Sequence, residues 1–259
     1  MQQQQLEYLL QSIGRHKIYP PWKNGQSADI IGGEESVPHS RPYMAALIIP
    51  VEGNTSLCGG TLIKRNWVLT AAHSIVFLGA HSLTGKQQQQ RIKIIGRYGH
   101  PQYNEKTMEN DIMLLKKSAK IDQHVKCIEL PSTSNDVEAG TQCLVAGWGI
   151  TDNKSRNIST MLREVNVTVI QRSVCNDENH YKHLMYVTSN MLCAGDDKGG
   201  KDACVGDSGG PLICNGKQRG IVSFGAKSEC GNQRYPGIYT LLTEDYLAWL
   251  REITEPFTG

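Results

Sequence analysis

Short apolar runs bounded by turn-forming residues recur along most of this sequence, and they limit the folds that it can adopt. Runs of roughly four to eight apolar residues suit buried strands better than buried helices. Such runs occur in MAALII (44–49), TLIKRNWVLTAA (61–72), DIMLLK (111–116), GIVSFG (220–225) and PGIYTLL (236–242). In REVNVTVI (163–170), Val165, Val167 and Val169 alternate with other residues, which predicts a half-buried strand.

The clearest helix signals come near the end of the chain. Thr243 can accept a hydrogen bond as an N-cap, and Glu244 and Asp245 suit the positive first turn of a helix. Leu247 and Leu250 are three residues apart and share one face. Many strands and one terminal helix together predict an all-β fold built from barrels.

The composition is that of an ordinary folded protein. The chain has 259 residues, of which 39% are hydrophobic and 20% are charged. Its formal net charge of +2 is too small to indicate binding to nucleic acid or to an anionic membrane. No segment has the length and apolar character of a membrane span. We therefore expect neither a nucleic-acid partner nor a membrane span.

Residues 1–29 differ in character from the rest of the chain. They contain four consecutive glutamines, Pro20-Pro21 and Asn24-Gly25, which are poor material for a packed core. They contain no apolar stretch of the roughly 7–15 residues that a secretory signal requires. We expect an irregular segment here that resembles a leader or propeptide.

The chain has eight cysteines, and their spacing bears on metal binding and on disulfides. No Cys-x-x-Cys pair and no Cys/His cluster has the spacing of a zinc site, so we expect no metal. Wide spacing in a chain of this size favours disulfides and an oxidising compartment. Four glycosylation sequons agree with that compartment: Asn54, Asn153, Asn157 and Asn166.

The segment KDACVGDSGGPLIC (201–214) contains a candidate nucleophile. A serine hydroxyl reacts when a base takes its proton, a third group orients the base, and N–H groups stabilise the oxyanion. Ser208 lies between Asp207 and two glycines, which let the backbone turn tightly beside a substrate. The alternative is a glycine-rich turn with a chance serine.

Two further residues suit the other catalytic roles. His73 in VLTAAHS is the candidate base, and Asp111 in ENDIMLLK is the candidate carboxylate that orients it. Each has an ordinary alternative, namely a half-buried histidine at a strand end and a turn aspartate that opens a strand. The order His, Asp, Ser along the chain is the one found in chymotrypsin-type enzymes, which favours the catalytic interpretation.

Five motifs, taken in order, carry a resemblance to a known family. They are IIGG (30–33), WVLTAAH (67–73), NDIMLL (110–115), VAGWG (145–149) and GDSGGPL (206–212). Together they resemble the trypsin-like serine proteases, and the resemblance extends from Ile30 to about Ile253. Within that family, the segments HSRPYM, LGAHSL, TMLREVNVTVI and VCNDENHY are similar to the granzyme A and granzyme K group.

The resemblance implies two six-stranded antiparallel β-barrels followed by a C-terminal helix. One peptidase domain would span 30–254, with a first barrel at about 30–125 and a second at about 126–254. The active cleft would lie between the two barrels. The resemblance implies no cofactor.

The same resemblance assigns the catalytic roles. His73 and Asp111 would come from the first barrel, and Ser208 from the second. The backbone N–H groups of Gly206 and Ser208 would form the oxyanion hole, where the loss of one donor typically raises the barrier by roughly 3–4 kcal/mol.

The resemblance also implies a substrate class. Asp202, six residues before Ser208, would lie at the base of a pocket and select Arg or Lys, since a buried unpaired charge is costly. Ala203 offers no oxygen to a lysine ammonium, whereas arginine can form a two-pronged pair. We expect Arg to be preferred about tenfold, or by about 1.4 kcal/mol. The pocket walls would be Ser223, Phe224, Gly225 and Gly237. Without the resemblance, a surface aspartate is the better interpretation of Asp202.

Relatives of this type are made as inactive precursors. A cut before Ile30 would free an amine that pairs internally with Asp207, and this ion pair acts as a switch because it needs both partners. Asp29 precedes the cut, which disfavours activation by a tryptic protease. We expect a dipeptidyl peptidase to remove Ala28-Asp29, and we expect the uncut chain to be inactive.

The chain departs from the family directly after His73. The family has a cysteine there, bonded to the position of Cys58, whereas this chain has Ser74 and a shortened loop. The dimerisation cysteine of granzyme A and the calcium-binding carboxylates of trypsin have no counterpart, so we expect a monomer without calcium. Cys58 and Cys127 could stay reduced, bond to each other or bond between chains. The disulfides implied by the resemblance are Cys143–Cys214, Cys175–Cys193 and Cys204–Cys230.

The leading hypothesis is a serine endopeptidase of the granzyme type that cleaves after basic residues and is secreted or stored in cytotoxic granules. One alternative is a catalytically impaired homologue that binds glycosaminoglycans or a receptor; the shortened loop favours it and the intact catalytic residues disfavour it. Another is a digestive or plasma protease. Four basic residues are consistent either with a heparin-binding patch or with an ordinary solvated face: Lys86, Arg91, Lys93 and Arg97.

Overall fold

A computed structural model describes residues 30–51, 54–73, 83, 94–117, 121–122, 124–154, 157–225 and 230–255. The expected leader at 1–29 lies outside the described residues, as do Ser74 and three of the four basic residues considered for heparin, namely Lys86, Arg91 and Lys93. The strands are β1 Glu34–Glu35, β2 Met44–Val51, β3 Asn54–Lys64, β4 Trp67–Thr70, β5 Ile94–Gly99, β6 Met113–Lys117, β7 Gln142–Gly147, β8 Arg163–Ile170, β9 Met191–Gly195, β10 Pro211–Cys214, β11 Lys217–Phe224 and β12 Gly237–Leu241. The helices are α1 Arg172–Cys175 and α2 Glu244–Thr254.

Five of these strands form an antiparallel sheet in the order β2-β3-β4-β6-β5. The segment 61–72 is not one continuous strand, because Arg65 and Asn66 form a turn that separates β3 from β4. Leu47, Val68 and Leu115 are buried together in the core of this sheet. The described residues thus supply five of the six strands expected for the first barrel.

The remaining strands close into a barrel. Hydrogen bonds join β8, β7, β10, β11, β12 and β9 in that order, and a further pairing of β8 with β9 closes the ring. The short β1 adds to the side of β8. Val165, Val167 and Val169 lie in the barrel core while Asn166 is exposed, so the predicted alternation is confirmed. The closed six-strand barrel, the second sheet and the terminal helix confirm the predicted all-β fold class.

The terminal helix α2 begins at the residue that the sequence indicates. Oγ1 of Thr243 accepts a hydrogen bond from the backbone N–H three residues later. Leu247 and Leu250 are buried against Leu69 of the first sheet and Ile221 of the barrel. Full burial of one such side chain stabilises a fold by roughly 1.5–3 kcal/mol. The helix therefore packs against both β units.

Three disulfides lie within the second half of the chain. Cys58 and Cys127 take no part in them; Cys58 is buried in the core of the first sheet and Cys127 is exposed. Several disulfides in one chain are typical of proteins of oxidising compartments. The three bonds are the pairs that the resemblance implies: Cys143–Cys214, Cys175–Cys193 and Cys204–Cys230.

Neither a membrane-spanning helix nor a metal-binding cluster occurs in the described part of the chain. None of the helices described here has the length and apolar character needed to cross a membrane. The same residues contain no group of three or more His, Cys, Asp or Glu side chains placed to hold a metal ion.

Candidate active site

A buried carboxylate and a histidine ring meet at the ends of two neighbouring strands. The antiparallel pairing of Thr70 with Met113 places the end of β4 beside the start of β6. Asp111, which is fully buried, therefore faces His73, and its Oδ2 lies 2.9 Å from Nδ1 of the ring. Oδ1 accepts hydrogen bonds from the backbone N–H groups of Ala72 at 2.8 Å and His73 at 3.3 Å.

Ser223, in β11 of the barrel, also contacts this carboxylate. Its hydroxyl donates a hydrogen bond of 2.6 Å to Oδ2 of Asp111. Thr240 of β12 donates a hydrogen bond of 3.0 Å to the main-chain oxygen of the same aspartate. Together with the N–H groups of Ala72 and His73, the Ser223 hydroxyl compensates for the loss of water around this buried carboxylate. The sequence interpretation placed Ser223 only in a pocket wall and missed this contact, for which no local motif gives a signal.

Ser208 lies on a tight turn held between the two β units. Gly59 of β3 donates a backbone hydrogen bond of 2.7 Å to the carbonyl of Ser208. Gly209 has a φ of +83°, and a Cβ on it would lie 2.1 Å from Oγ1 of Thr70. Because Thr70 is three residues before His73, this close approach brings the turn of Ser208 beside the strand that leads to the histidine.

The histidine ring and the serine hydroxyl are not hydrogen-bonded to each other. Among the described residues, no hydrogen bond joins Oγ of Ser208 to the ring of His73. The His73 side chain is 28% exposed, so part of its ring faces solvent. In enzymes without a bound substrate, such catalytic contacts are often long and tighten in the complex.

Two N–H groups of the same turn are available as donors. Within the described part of the chain, the backbone N–H groups of Gly206 and Ser208 have no hydrogen-bond acceptor. Gly206 has a φ of +103°, and a Cβ on it would lie 2.8 Å from Cα of Gly149. The glycine thus permits a backbone path in which these two N–H groups remain free to bind an oxyanion.

Asp207, between those two residues, is fully buried. Its carboxylate accepts hydrogen bonds from the N–H groups of Gly149 at 2.7 Å and Cys204 at 2.9 Å. Burial raises the pKa of Asp207 to about 7, while these two hydrogen bonds act in the opposite direction. Ile30 is also buried, within the core of the second barrel, and among the described contacts no hydrogen bond joins its N–H to Asp207.

Asp202 has one satisfied and one unsatisfied carboxylate oxygen. The residue is 2% exposed, and Oδ2 accepts a hydrogen bond of 3.0 Å from the N–H of Gly231. Oδ1 is buried and has no hydrogen-bond partner among the residues that the structure describes. A Cβ on Gly237 would lie 2.6 Å from Oδ1, so this close approach of the backbone to the carboxylate requires a glycine.

The pKa of Asp202 reflects this environment. Burial raises the pKa to about 7, the N–H groups of Gly231 and Ala203 lower it, and the nearby Asp207 raises it. Ala203 is buried and places no polar side-chain atom beside the carboxylate. A buried oxygen without a partner is costly, so this arrangement favours a cationic ligand that donates to it.

Phe224 and Gly225, which are also expected in the pocket walls, follow Ser223 directly in the chain. Phe224 packs edge-on against Tyr181, whose hydroxyl donates a hydrogen bond of 2.7 Å to the carbonyl of Pro236. A Cβ on Gly225 would meet no atom within 4 Å, so the backbone there borders open space. Ser223 thus contacts Asp111, while Phe224 is linked through Tyr181 to Pro236, the residue before Gly237.

Comparisons with known proteins agree on one family. The family model described as Trypsin matches residues 30–250. Granzyme A of Bos taurus is 44% identical over 232 residues, which cover 86% of this chain and 87% of that protein. Duodenase-1 of Bos taurus is 39% identical over 241 residues, covering 87% and 89%. Trypsin-3 of Salmo salar is 38% identical over 229 residues, covering 85% and 91%.

Proposed function

Because this chain belongs to the trypsin family of serine endopeptidases, we propose that it cleaves peptide bonds after Arg and, more slowly, after Lys. The single observation that carries this specificity is the buried, unpartnered Oδ1 of Asp202 among the described residues. A guanidinium or ammonium group would supply both a hydrogen bond and the opposite charge. Gly237 places no side chain against this oxygen.

The preference for Arg follows from what surrounds Asp202. Ala203 provides no hydroxyl that could bind a lysine ammonium at the base of the pocket. The planar guanidinium of arginine can donate two N–H groups to one carboxylate, whereas an ammonium is a compact and strongly hydrated charge. The expected preference of about tenfold corresponds to about 1.4 kcal/mol in transition-state binding.

In the proposed reaction, Oγ of Ser208 attacks the carbonyl carbon of the scissile bond while Nε2 of His73 takes its proton. Asp111 holds the ring through Nδ1 and stabilises its positive charge. The N–H groups of Gly206 and Ser208 bind the oxyanion. The C–N bond then breaks as His73 returns the proton to the departing amine. Water next gives a proton to His73 and attacks the acyl carbon, and the ester C–O bond breaks as His73 returns that proton to Oγ of Ser208.

We assign the switch for this activity to Ile30 and Asp207. Burial raises the pKa of Asp207 to about 7, and a new amino group at Ile30 would give this carboxyl a cationic partner that favours its charged form. The expected activating step is removal of the residues before Ile30, ending with the dipeptide Ala28-Asp29. The uncut chain should therefore be inactive.

The cellular role that fits best is that of a secreted or granule-stored protease of the granzyme type. Its support is the three disulfides, which suit an oxidising compartment, and the 44% identity to a protein named granzyme A. Protein substrates with Arg or Lys at the cleaved bond are the expected partners.

One experiment tests this function directly. The chain, processed to begin at Ile30, is assayed with Arg and Lys peptide thioesters that differ only at the residue before the cleaved bond. We expect turnover of both, with Arg preferred about tenfold, and no turnover by Ser208→Ala. Absence of turnover by the unmutated enzyme would contradict the proposal.

A further inference from the structure

The side chain of Asn153 binds both backbone groups of Cys230. Its Nδ2 donates a hydrogen bond of 2.9 Å to the carbonyl of Cys230, and its Oδ1 accepts one of 3.0 Å from the N–H of Cys230. A side-chain amide carries a donor and an acceptor side by side, so it can bind both backbone groups of one residue. This contact joins two loops that are 77 residues apart.

We propose that Asn153 is a positioning residue for the pocket of Asp202, an inference that rests on the proposed function of that pocket. The residue after Cys230 is Gly231, whose N–H donates the hydrogen bond of 3.0 Å to Oδ2 of Asp202. By holding the carbonyl of Cys230, Asn153 sets the orientation of the peptide group that links Cys230 to Gly231. It thereby acts on Asp202 without touching it.

The disulfide alone does not fix this geometry. The Cys204–Cys230 bond restrains the side chain of Cys230 at one point, and it does not by itself set the rotation of the peptide group that links Cys230 to Gly231. Gly231 has no side chain and has a φ of +74°, which leaves its conformation to its neighbours. The two hydrogen bonds from Asn153 hold the peptide group before Gly231, and the N–H of Gly200 donates a hydrogen bond of 2.7 Å to the carbonyl of Gly231 on its other side.

The loop that carries Asn153 is itself anchored near Ser208. Gly149 donates to the carboxylate of Asp207, and the N–H of Ile150 donates a hydrogen bond of 2.8 Å to the carbonyl of Val205. Asn153 follows three residues later and reaches Cys230, the residue before Gly231. The segment 149–153 therefore connects the turn of Ser208 to the wall that holds Asp202.

The variant N153D tests this role with almost no change in size. Its carboxylate can still accept the N–H of Cys230, but it has no donor for the carbonyl of Cys230 and places a negative charge beside it. We expect the inhibition constant of benzamidine, a small cation, to rise about tenfold, as expected for about 1.4 kcal/mol. KM for an Arg substrate should rise similarly while kcat changes less than about twofold.

A matched control is present in the same barrel. Nδ2 of Asn176 donates to the carbonyl of Val187, and Oδ1 of Asn176 accepts from its N–H, both at 2.8 Å. The variant N176D removes the same kind of contact, between two residues that make no hydrogen bond to Asp202 or Gly231 in the described structure. It should leave benzamidine inhibition and KM unchanged even if both variants lower the melting temperature. All proteins are produced without glycosylation, because Asn153 also begins a sequon.

The outcomes separate the positioning role from the proposed function. Labelling of Ser208 by a small organofluorophosphonate, which has no cationic group, should proceed equally fast in N153D and in the unmutated enzyme. Slower labelling, or benzamidine inhibition that is equal in N153D and N176D, would overturn the positioning role. If the unmutated enzyme labels normally but neither binds benzamidine nor cleaves Arg substrates, the proposed specificity of Asp202 is itself wrong.

Discussion

Ser223 and Asp111 are joined by a hydrogen bond of 2.6 Å, although they belong to different β units. The oxygen that accepts this bond, Oδ2, is also the one that lies 2.9 Å from Nδ1 of His73. The serine hydroxyl therefore helps to fix the direction in which the buried carboxylate meets the ring. A residue that the sequence places in a pocket wall thus also supports the histidine.

This contact predicts that Ser223→Ala lowers kcat about tenfold with little change in KM. The carboxylate would lose one of its donors, and the imidazole would be held less firmly in the proton-accepting orientation. Steady-state kinetics on an Arg thioester measure the change. As a control, Thr240→Val removes the bond to the main-chain oxygen of Asp111 and should lower stability by about 1 kcal/mol with a smaller effect on kcat. Equal losses of kcat in both variants would contradict the assigned role of Ser223.

Cation binding at Asp202 should weaken in acid. The pKa of its carboxyl is raised to about 7 by burial, so the carboxyl is mostly neutral below that pH. Benzamidine keeps its charge over this range, and its affinity should therefore fall by about tenfold per pH unit below about pH 7. Inhibition constants measured between about pH 5 and about pH 8 check the slope. In D202N, binding should be weak and independent of pH; a similar slope in that variant would assign the titration to another group.

The raised pKa of Asp202 also predicts that the stability of the fold decreases as the pH rises, whereas cation binding becomes stronger. A carboxyl that holds its proton more tightly when folded contributes stability below its unfolded pKa and loses it as the pH rises through about 7. The side chain at position 202 is uncharged at every pH in D202N. The stability of D202N relative to the parent should therefore be higher at about pH 8 than at about pH 4, by on the order of 2–4 kcal/mol. Urea unfolding in a Ser208→Ala background avoids self-cleavage. The exposed Asp197→Asn serves as control and should show no such gain.

The strands that were predicted from the sequence are those whose apolar run or alternation lies within a single segment. REVNVTVI became β8 with the expected inward valines, because alternation is decided within one strand. The segment 61–72 was wrong as a single strand, since the polar pair Arg65-Asn66 makes a turn. β10 was not predicted, although Asn215-Gly216 after it is a strong signal for a two-residue hairpin turn; both residues have positive φ.

The candidate site shows a similar division. A local motif is sufficient to single out Ser208, because glycines and an aspartate surround it in the sequence. Contacts between distant loops leave no such trace, as the pairs Ser223 with Asp111 and Asn153 with Cys230 demonstrate. These depend on how two β units and their loops pack, which no single segment encodes.

The start of α2 offers a prediction about stability alone. Thr243→Ala removes the hydroxyl that accepts the N–H of Tyr246, and we expect a loss of about 1 kcal/mol in the free energy of unfolding. Thr243→Ser keeps the hydroxyl and should remain within a few tenths of a kcal/mol of the parent. Chemical denaturation measures both. A large loss of activity in Thr243→Ala under native conditions would show that the cap also supports the site.

The turn of Ser208 should not tolerate a side chain at Gly209. A Cβ there would lie 2.1 Å from Oγ1 of Thr70 and 2.5 Å from the carbonyl oxygen of Gly59, and the φ of +83° adds strain. Gly209→Ala must therefore displace the turn, and a displacement of about 1 Å at a nucleophile lowers the rate about 100-fold. We expect at least that loss in kcat/KM and a matching loss in Ser208 labelling.

Gly216→Ala tests the effect of backbone strain in the absence of a steric clash. Gly216 has a similar φ of +74°, but a Cβ on it would meet no atom within 4 Å. That variant should lose about 1–2 kcal/mol of stability from the left-handed conformation alone and keep its kcat/KM. If Gly209→Ala behaved in the same way, with normal labelling of Ser208, the close approach of this turn to the strand before His73 would not be what places the nucleophile.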